Sequence, residues 1–365
     1  MDEPVEVLAE LKLPPIPRLD AIIGQGRAVH VLKKTLTSQR VPHAWIFHGP
    51  AGVGKFTTAL GFAACLMDDT TGPTLGGEIE PDPESPTQQR LAGGSHPDLH
   101  VIRKELALFS SERAVRDRKL ATIPIEVIRE HLIEPAYLAP AISRKAMAPK
   151  VFIVDEAELL DRSPTNAPVQ NALLKTLEEP PAGTVLILVT TSEDRLLPTI
   201  RSRCQRVAFR SLTDDEMRQW FHRTRRSESS DWLLRFAQGS PGRYIEAVEA
   251  GIDRWEPVLS PLLDGLSAGQ LVFDLGAVAH NLIESYASTW VDAGPNRSKE
   301  AANRAGARQL LSILGEHFRA AVRSGRDPNR AARAIIRLEQ SERELASNVQ
   351  PALVFDALAA DLAKV

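Results

Sequence analysis

Only two of the 365 residues are cysteine, Cys65 and Cys204, and they stand far apart. That excludes a disulfide framework and leaves no four-ligand zinc set. No stretch approaches the roughly 20 apolar residues a membrane-spanning helix needs, so no membrane partner is expected. Residues 1–17 mix acids with prolines and lack an apolar core, unlike a secretory leader. A cytoplasmic protein is expected. Neither sign of charge is in excess: 44 Lys and Arg face 47 Asp and Glu, a formal net charge of -3. A chain that grips nucleic acid unaided carries a broad basic surface. A stand-alone DNA binder is therefore disfavoured, while a local basic patch stays open. Internal repeats are absent, and so is a convincing set of polymerase carboxylates.

What is present is a composition of 43% hydrophobic and 25% charged residues, typical of a globular protein. The length predicts two or three domains with cores of their own. Residues 1–17 read as an arm. Over 18–210, helical and strand patterns alternate, which predicts an α/β domain with a parallel sheet and flanking helices. Ala28, Val31, Leu32 and Leu36 recur at helical spacing. Strands are expected at His43–His48, Lys150–Val154, Val185–Thr190 and Gln205–Phe209. Helices are expected at Gly54–Met67, Pro124–Leu132 and Asn171–Glu179, the last stopped by Pro180-Pro181. Asp68–Gly94 is rich in Gly, Pro, Thr and acids and reads as a flexible acidic loop. After Ser211 strand signals vanish. Thr213-Asp214-Asp215-Glu216 marks a helix start, opening a helical lid over 211–252. Residues 253–365 read as an all-α domain.

Gly49-Pro50-Ala51-Gly52-Val53-Gly54-Lys55 is a phosphate-binding loop sequence, placed between a strand and a helix as that motif requires. Its glycines let the backbone wrap around phosphates, and the helix start supplies positive potential. Lys55 would reach the β and γ phosphates. The next residue should be Ser or Thr, whose hydroxyl ligates Mg2+; here it is Phe56. Thr57 lies one residue on, about 100° around the helix. Asp155 and Glu156, closing a strand, read as the pair that holds Mg2+ and polarises the attacking water. The plainer reading is a solvated or capping acid pair. Together these residues predict weak binding of ATP with Mg2+, and slow or absent hydrolysis, with Asp155 or Thr57 as the metal ligands if nucleotide binds.

Several further segments carry a resemblance. These are Gly94-Ser95-His96-Pro97-Asp98, Asn171-Ala172-Leu173-Leu174-Lys175-Thr176-Leu177-Glu178-Glu179-Pro180-Pro181, Ile200-Arg201-Ser202-Arg203-Cys204, Gly239-Ser240-Pro241-Gly242-Arg243 and Asn348-Val349-Gln350-Pro351. Occurring in this order, they resemble the bacterial clamp-loader ATPases of the DNA polymerase III gamma/tau and delta-prime group, from about residue 20 onward. The resemblance implies an AAA+ P-loop domain, a small helical lid and a helical collar for oligomerisation. It implies that Arg203 is an arginine finger acting in trans on ATP held by a neighbour. From the residues alone, a surface ion pair is the favoured reading of Arg203; the resemblance overrides it. Thr190 or Thr191 resembles the sensor 1 position, and Arg243 the sensor 2 position, though shifted by one from the motor subunits, where Gly242 stands here. The group's four-cysteine zinc module is missing, so no zinc is expected.

These departures resemble the delta-prime branch. That implies a stator that completes the loader ring, monomeric alone and hetero-oligomeric in function. Its implied partners are the gamma/tau and delta subunits, with the sliding clamp and primer-template DNA reached through the complex. Two other readings stay open: an active ATPase motor in which Thr57 rescues the metal site, and a different AAA+ protein such as a branch-migration helicase. Arg330, Arg333 and Arg337, at helical spacing, form either a DNA- or subunit-facing stripe or a solvated face. His96 is read as a cap before Pro97.

Overall fold

The apolar run after His43 forms strand β1, Ala44–His48, between helix α1, Gly26–Ser38, and helix α2, Lys55–Met67. The computed structural model describes residues 12–38, 40–74, 77–117, 120, 122–142, 145–160, 167–224, 231–268, 270, 272, 274–292, 299–325, 327–347 and 349–364. Residues 1–11 of the expected arm, and Asn348 of the collar motif, lie outside the described residues. The contacts divide the chain into two units. One comprises Leu8–Arg226 with Gly239–Gly242, the other Ser227–Gln238 with Arg243–Val365. The helices of segment 211–252 are thus shared between them.

The stretch 68–94 departs from the flexible loop expected. Its described residues form an antiparallel pair, β2 (Gly72–Pro73) and β3 (Ile79–Glu80), then helix α3, Pro86–Ala92. Asp68, only 1% exposed, organises them. Its carboxylate accepts from the Thr70 N–H and hydroxyl, from the Ser85 hydroxyl and from Gln88 Nε2. Ser85 Oγ also caps α3, accepting from the Gln88 N–H at 3.1 Å. Arg18 pairs with the buried Glu80. Burial pushes the Asp68 carboxyl up, but the hydrogen bonds from Ser85, Thr70 and Gln88 outweigh it and hold it below the usual range. A satisfied polar hub orders a segment with few large apolar residues.

The rest of the sheet is β4 (Leu99–Ile102), β5 (Lys150–Val154), β6 (Thr184–Thr190) and β7 (Gln205–Ala208). The order is β4-β5-β6-β1-β7, all parallel. Strand β4 is one more than the sequence pattern suggested; its four residues with a polar His100 give too short an apolar signal. Side chains alternate between two cores. Trp45, Phe47, Val151, Ile153, Val185 and Ile187 face one. Ala44, Ile46, Phe152, Val154, Leu186 and Leu188 face the other. Both faces are dry, which explains the near-continuous apolar runs. Each large side chain so buried is worth about 1.5–3 kcal/mol.

Helix α4, Pro168–Glu178, lays Val169, Leu173 and Leu177 on the second core. The expected helix over 124–132 is a longer helical stretch in three pieces: Ile125–Ile128, a π turn Arg129–Ile133, and Glu134–Tyr137. Pro135 has no N–H to donate one turn back, and the helix widens just before it. Helix α5, Asp214–Thr224, opens with a reciprocal capping box: Thr213 N–H donates to Glu216 at 2.8 Å, and Glu216 N–H to Thr213 Oγ1 at 3.3 Å.

The second unit is helical in its described residues: α6 (Asp231–Ala237), most of α7 (Pro241–Glu249), α8 (Glu256–Ser267), α9 (Leu275–Asp292), α10 (Lys299–Arg323), α11 (Pro328–Ala346) and α12 (Pro351–Lys364). Neither reading of the arginine stripe fits Arg330 and Arg337. Arg330 donates to the carbonyls of Leu266 and Leu362 at 3.2 and 3.0 Å. Arg337, 11% exposed, pairs with Asp361 at 2.8 Å and donates to Ser341 Oγ at 2.8 Å. Both tie α11 to neighbouring helices. Helical spacing alone cannot tell an outward arginine from one whose stem is covered by the next helix.

Candidate nucleotide site

The phosphate-binding loop leaves β1 at His48 and enters α2 at Lys55. Gly49 has φ +139°, and a Cβ there would lie 2.3 Å from the Phe209 carbonyl oxygen, so only glycine fits. Lys55 is 5% exposed. Its ammonium donates to the carbonyls of Gly49, at 2.8 Å, and Pro50. Burial pushes it down to about 8, against the pull of Glu158 and Asp155. Buried Gln25 holds the loop from below, donating to the Val53 carbonyl at 3.1 Å and the Arg210 carbonyl at 2.8 Å.

Two contacts press on the crown of the loop. Ser240 Oγ donates to the Ala51 carbonyl and Gly242 N–H to the Gly52 carbonyl, both at 2.8 Å. A Cβ on Gly242 would sit 2.6 Å from Gly52 Cα, so backbone lies directly on backbone. Arg243, the sensor 2 candidate, belongs to the second unit. There it donates to Ser312 Oγ at 2.7 Å and lies 4.9 Å from the Phe236 ring centroid. Burial pushes its pKa down.

The acid pair closes β5. Parallel pairing sets Ile102 of β4 beside Val154 of β5, so Arg103 and Lys104 emerge beside Asp155 and Glu156. Arg103 Nε stands 3.5 Å from Asp155 Oδ2, and Lys104 Nζ stands 2.7 Å from Glu156 Oε2. The Arg103 guanidinium also lies over the Phe56 ring, 4.4 Å from its centroid. Burial pushes the Asp155 carboxyl up, against the pull of Arg103. Burial pushes Lys104 down, but Glu156 outweighs it and the net shift is upward. Glu156 takes a left-handed backbone, φ 50°.

These residues do not fit a Mg2+ ion, a hard cation that takes oxygen ligands. Phe56 offers no oxygen, and each carboxylate already carries a cation. Thr57, the alternative ligand, is the third residue of α2 and is half-buried. Arg103 and Lys104 were missed in the sequence because the strand before them was missed; the register of that strand is the signal that finds them. Among the described residues one group of three carboxylates lies at ligand spacing, Asp20, Glu78 and Glu80. Arg18 pairs with two of them. Burial pushes the Cys65 and Cys204 thiols up to about 12.

The remaining candidates lie on this same unit. Thr191, at the end of β6, gives its N–H to Glu158 at 3.2 Å and its hydroxyl to the same carboxylate. Thr190 Oγ1 accepts from the Ser192 N–H at 3.1 Å. Glu158 was a third residue missed. Burial pushes its carboxyl up, but hydrogen bonds from Thr191 outweigh that and lower it. Arg203 follows the helical turn Pro198–Arg201 and pairs with Glu178 at 2.7 Å. Its side chain is 36% exposed and that of Glu178 51%. His96 Nδ1 accepts from the Asp98 N–H at 3.3 Å, the capping role read from the sequence.

The chain matches the family model described as DNA polymerase III, delta subunit, over residues 24–213. It is 32% identical to the DNA polymerase III subunit delta' of Pseudomonas aeruginosa over 54% of this chain and 53% of that one. To the subunit delta' of Bacillus subtilis it is 28% identical, over 62% of this chain and 58% of that one. To the subunit tau of Bacillus subtilis it is 32% identical, over 54% of this chain and 30% of that one. The chain spans about half the length of the curated relatives it matches. A solved DNA polymerase III gamma subunit-related protein of Thermotoga maritima aligns with 91% of this chain and 98% of that one, at a TM-score of 0.43 and 16% identity. The family match takes in more than half of the chain, with the P-loop, the acid pair and the five-stranded parallel sheet inside it. The chain therefore belongs to the DNA polymerase III delta subunit family, as a delta-prime-like AAA+ protein of the clamp-loader group.

Proposed function

We propose that this protein is a stator of a clamp loader, a non-hydrolysing subunit that completes the ring and lends Arg203 to ATP bound by a neighbour. The observation that carries the reading is the resident pairing of Arg103 with Asp155 and Lys104 with Glu156. An acid pair faced by cations from the adjacent strand, beside a phenyl ring in place of a hydroxyl, is poorly equipped to gather a metal ion and an attacking water. Arg203 is differently placed. It sits on a turn, and its partner Glu178 is half exposed, so a pair of this kind holds by at most about 1 kcal/mol. A phosphate on a neighbouring subunit can displace that carboxylate. The partners on this reading are gamma/tau and delta subunits, with the sliding clamp and primer-template DNA engaged through the assembly in the cytoplasm.

The similarity to subunit tau supports a second reading, an ATPase motor. One experiment separates the two. ATPase activity is measured in a loader reconstituted with gamma/tau, delta, clamp and primed DNA, with wild type, Arg203→Ala or Lys55→Ala in this chain. The stator reading expects Arg203→Ala to lower the rate by more than about tenfold and Lys55→Ala to leave it unchanged. A rate that falls with Lys55→Ala and not with Arg203→Ala makes the chain a motor.

A further inference from the structure

We propose that the phosphate cradle takes a nucleoside di- or triphosphate without a divalent metal, with the Arg103 guanidinium standing in place of Mg2+. This goes beyond the stator reading and does not depend on it, since a stator works with or without a bound nucleotide. Three observations carry the inference.

The first is that the cradle is intact where the metal site is not. Gly49 keeps the left-handed backbone and close approach the loop requires, and Lys55 sits at the start of α2 with its ammonium lodged on loop carbonyls. Those neutral carbonyls are a weaker partner than a phosphate oxygen for a buried ammonium. The second observation is the seat of Arg103. Phe56 occupies the position of the metal-binding hydroxyl, its ring lies under the guanidinium, and Asp155, which would hold the metal, holds Arg103 instead. One cation has taken both of the metal's protein contacts. The third is chemical. A guanidinium is always charged and presents a planar fork of donors suited to two phosphate oxygens, and its Nε is 3.5 Å from Asp155, a separation that leaves the fork unsaturated. Asp155 couples to Lys55 as well as to Arg103, so both cations belong to one electrostatic cluster. A fixed single charge replaces a mobile double one, so the site retains nucleotide yet cannot activate water.

The test is binding of a fluorescent N-methylanthraniloyl-ATP or -ADP to the purified full chain, in EDTA and in excess Mg2+. The dissociation constant is expected to change less than about threefold between the two conditions, and Arg103→Ala to weaken binding in EDTA by about tenfold, the loss of one charged contact. Phe56→Leu keeps the apolar bulk, removes the ring under the guanidinium, and is expected to weaken binding a few-fold; it carries the test if Arg103→Ala does not fold. ATP against ADP tells whether a third phosphate contributes. Binding that requires Mg2+, binding unchanged in both variants, or no binding at millimolar nucleotide overturns the proposal. None of these outcomes touches the Arg203 reading, which is measured by turnover in the loader.

Discussion

Arg103 leaves strand β4 at the level where Asp155 leaves β5, and their charged groups meet at 3.5 Å. The pairing follows from strand register, not from any local motif. Lys104 and Glu156 repeat it one residue further on.

The close approach of Gly242 to Gly52 predicts that Gly242→Ala destabilises the protein. The added Cβ would meet backbone at 2.6 Å, which no side-chain rotation relieves. The expected loss is about 1–3 kcal/mol, read as a lower urea midpoint with unchanged slope. Gly242→Arg, a larger side chain at the same contact, should lose at least as much. An unchanged midpoint for either variant would mean the segment from Ser240 does not rest on the loop.

Arg337→Ala should cost about 1–3 kcal/mol, because it strips a covered guanidinium from Asp361, Ser341 and Glu344 together. Thermal unfolding reads this directly. Loss of DNA affinity without loss of stability would restore the surface-stripe reading.

Glu216 gives a pH dependence. Its carboxyl is held down to about 2, first by the Arg210 side chain, with further hydrogen bonds from Thr213. A carboxyl depressed in the folded state stabilises fully above its unfolded value, about 4.3, and loses that contribution as pH falls toward 2. The NMR titration of Glu216 should therefore midpoint well below that of a free glutamate, and Arg210→Ala should move it upward. A midpoint near 4.3 in the wild type would show that the Arg210–Glu216 pair does not persist in solution.

Both thiols should be silent in the folded protein. With each pushed up to about 12 by burial, the thiolate fraction at neutral pH falls by roughly three orders of magnitude relative to a free cysteine. Native protein should react with a disulfide reagent only on the time scale of unfolding, and two thiols per chain should appear in denaturant. Rapid labelling of one thiol in the native state would place Cys204, the less covered of the two, in an open position.

The site was legible where chemistry is encoded in consecutive residues. The loop from Gly49 to Lys55, the acids after β5 and the helix ended by Pro180 are local patterns, and Phe56 announces its own defect. Arg103, Lys104 and Glu158 were not legible, because their roles depend on which strand lies beside which. Helical patterns held where an apolar stripe packs on the sheet, as with Val169, Leu173 and Leu177. The stretch after Met67 failed that test for a different reason: Asp68, Ser85 and Gln88 order it through hydrogen bonds, which leave no hydropathy signature. Arg330 and Arg337 show the same limit, since a charged residue that donates to buried carbonyls has the same spacing as one facing water.

The resident cations also bear on how such a site changes over generations. Replacing Phe56 with threonine alone removes the seat of Arg103 and supplies a hydroxyl to a place already filled. Removing Arg103 alone leaves Asp155, partly covered, with Lys55 as its remaining cation. Removing Lys104 frees Glu156 without a metal for it to serve. Each single replacement leaves another member of the cluster without its present partner. On the proposed metal-free reading, the mutual dependence of Phe56, Arg103 and Asp155 makes a metal-binding site reachable only by concerted replacement of all three contacts.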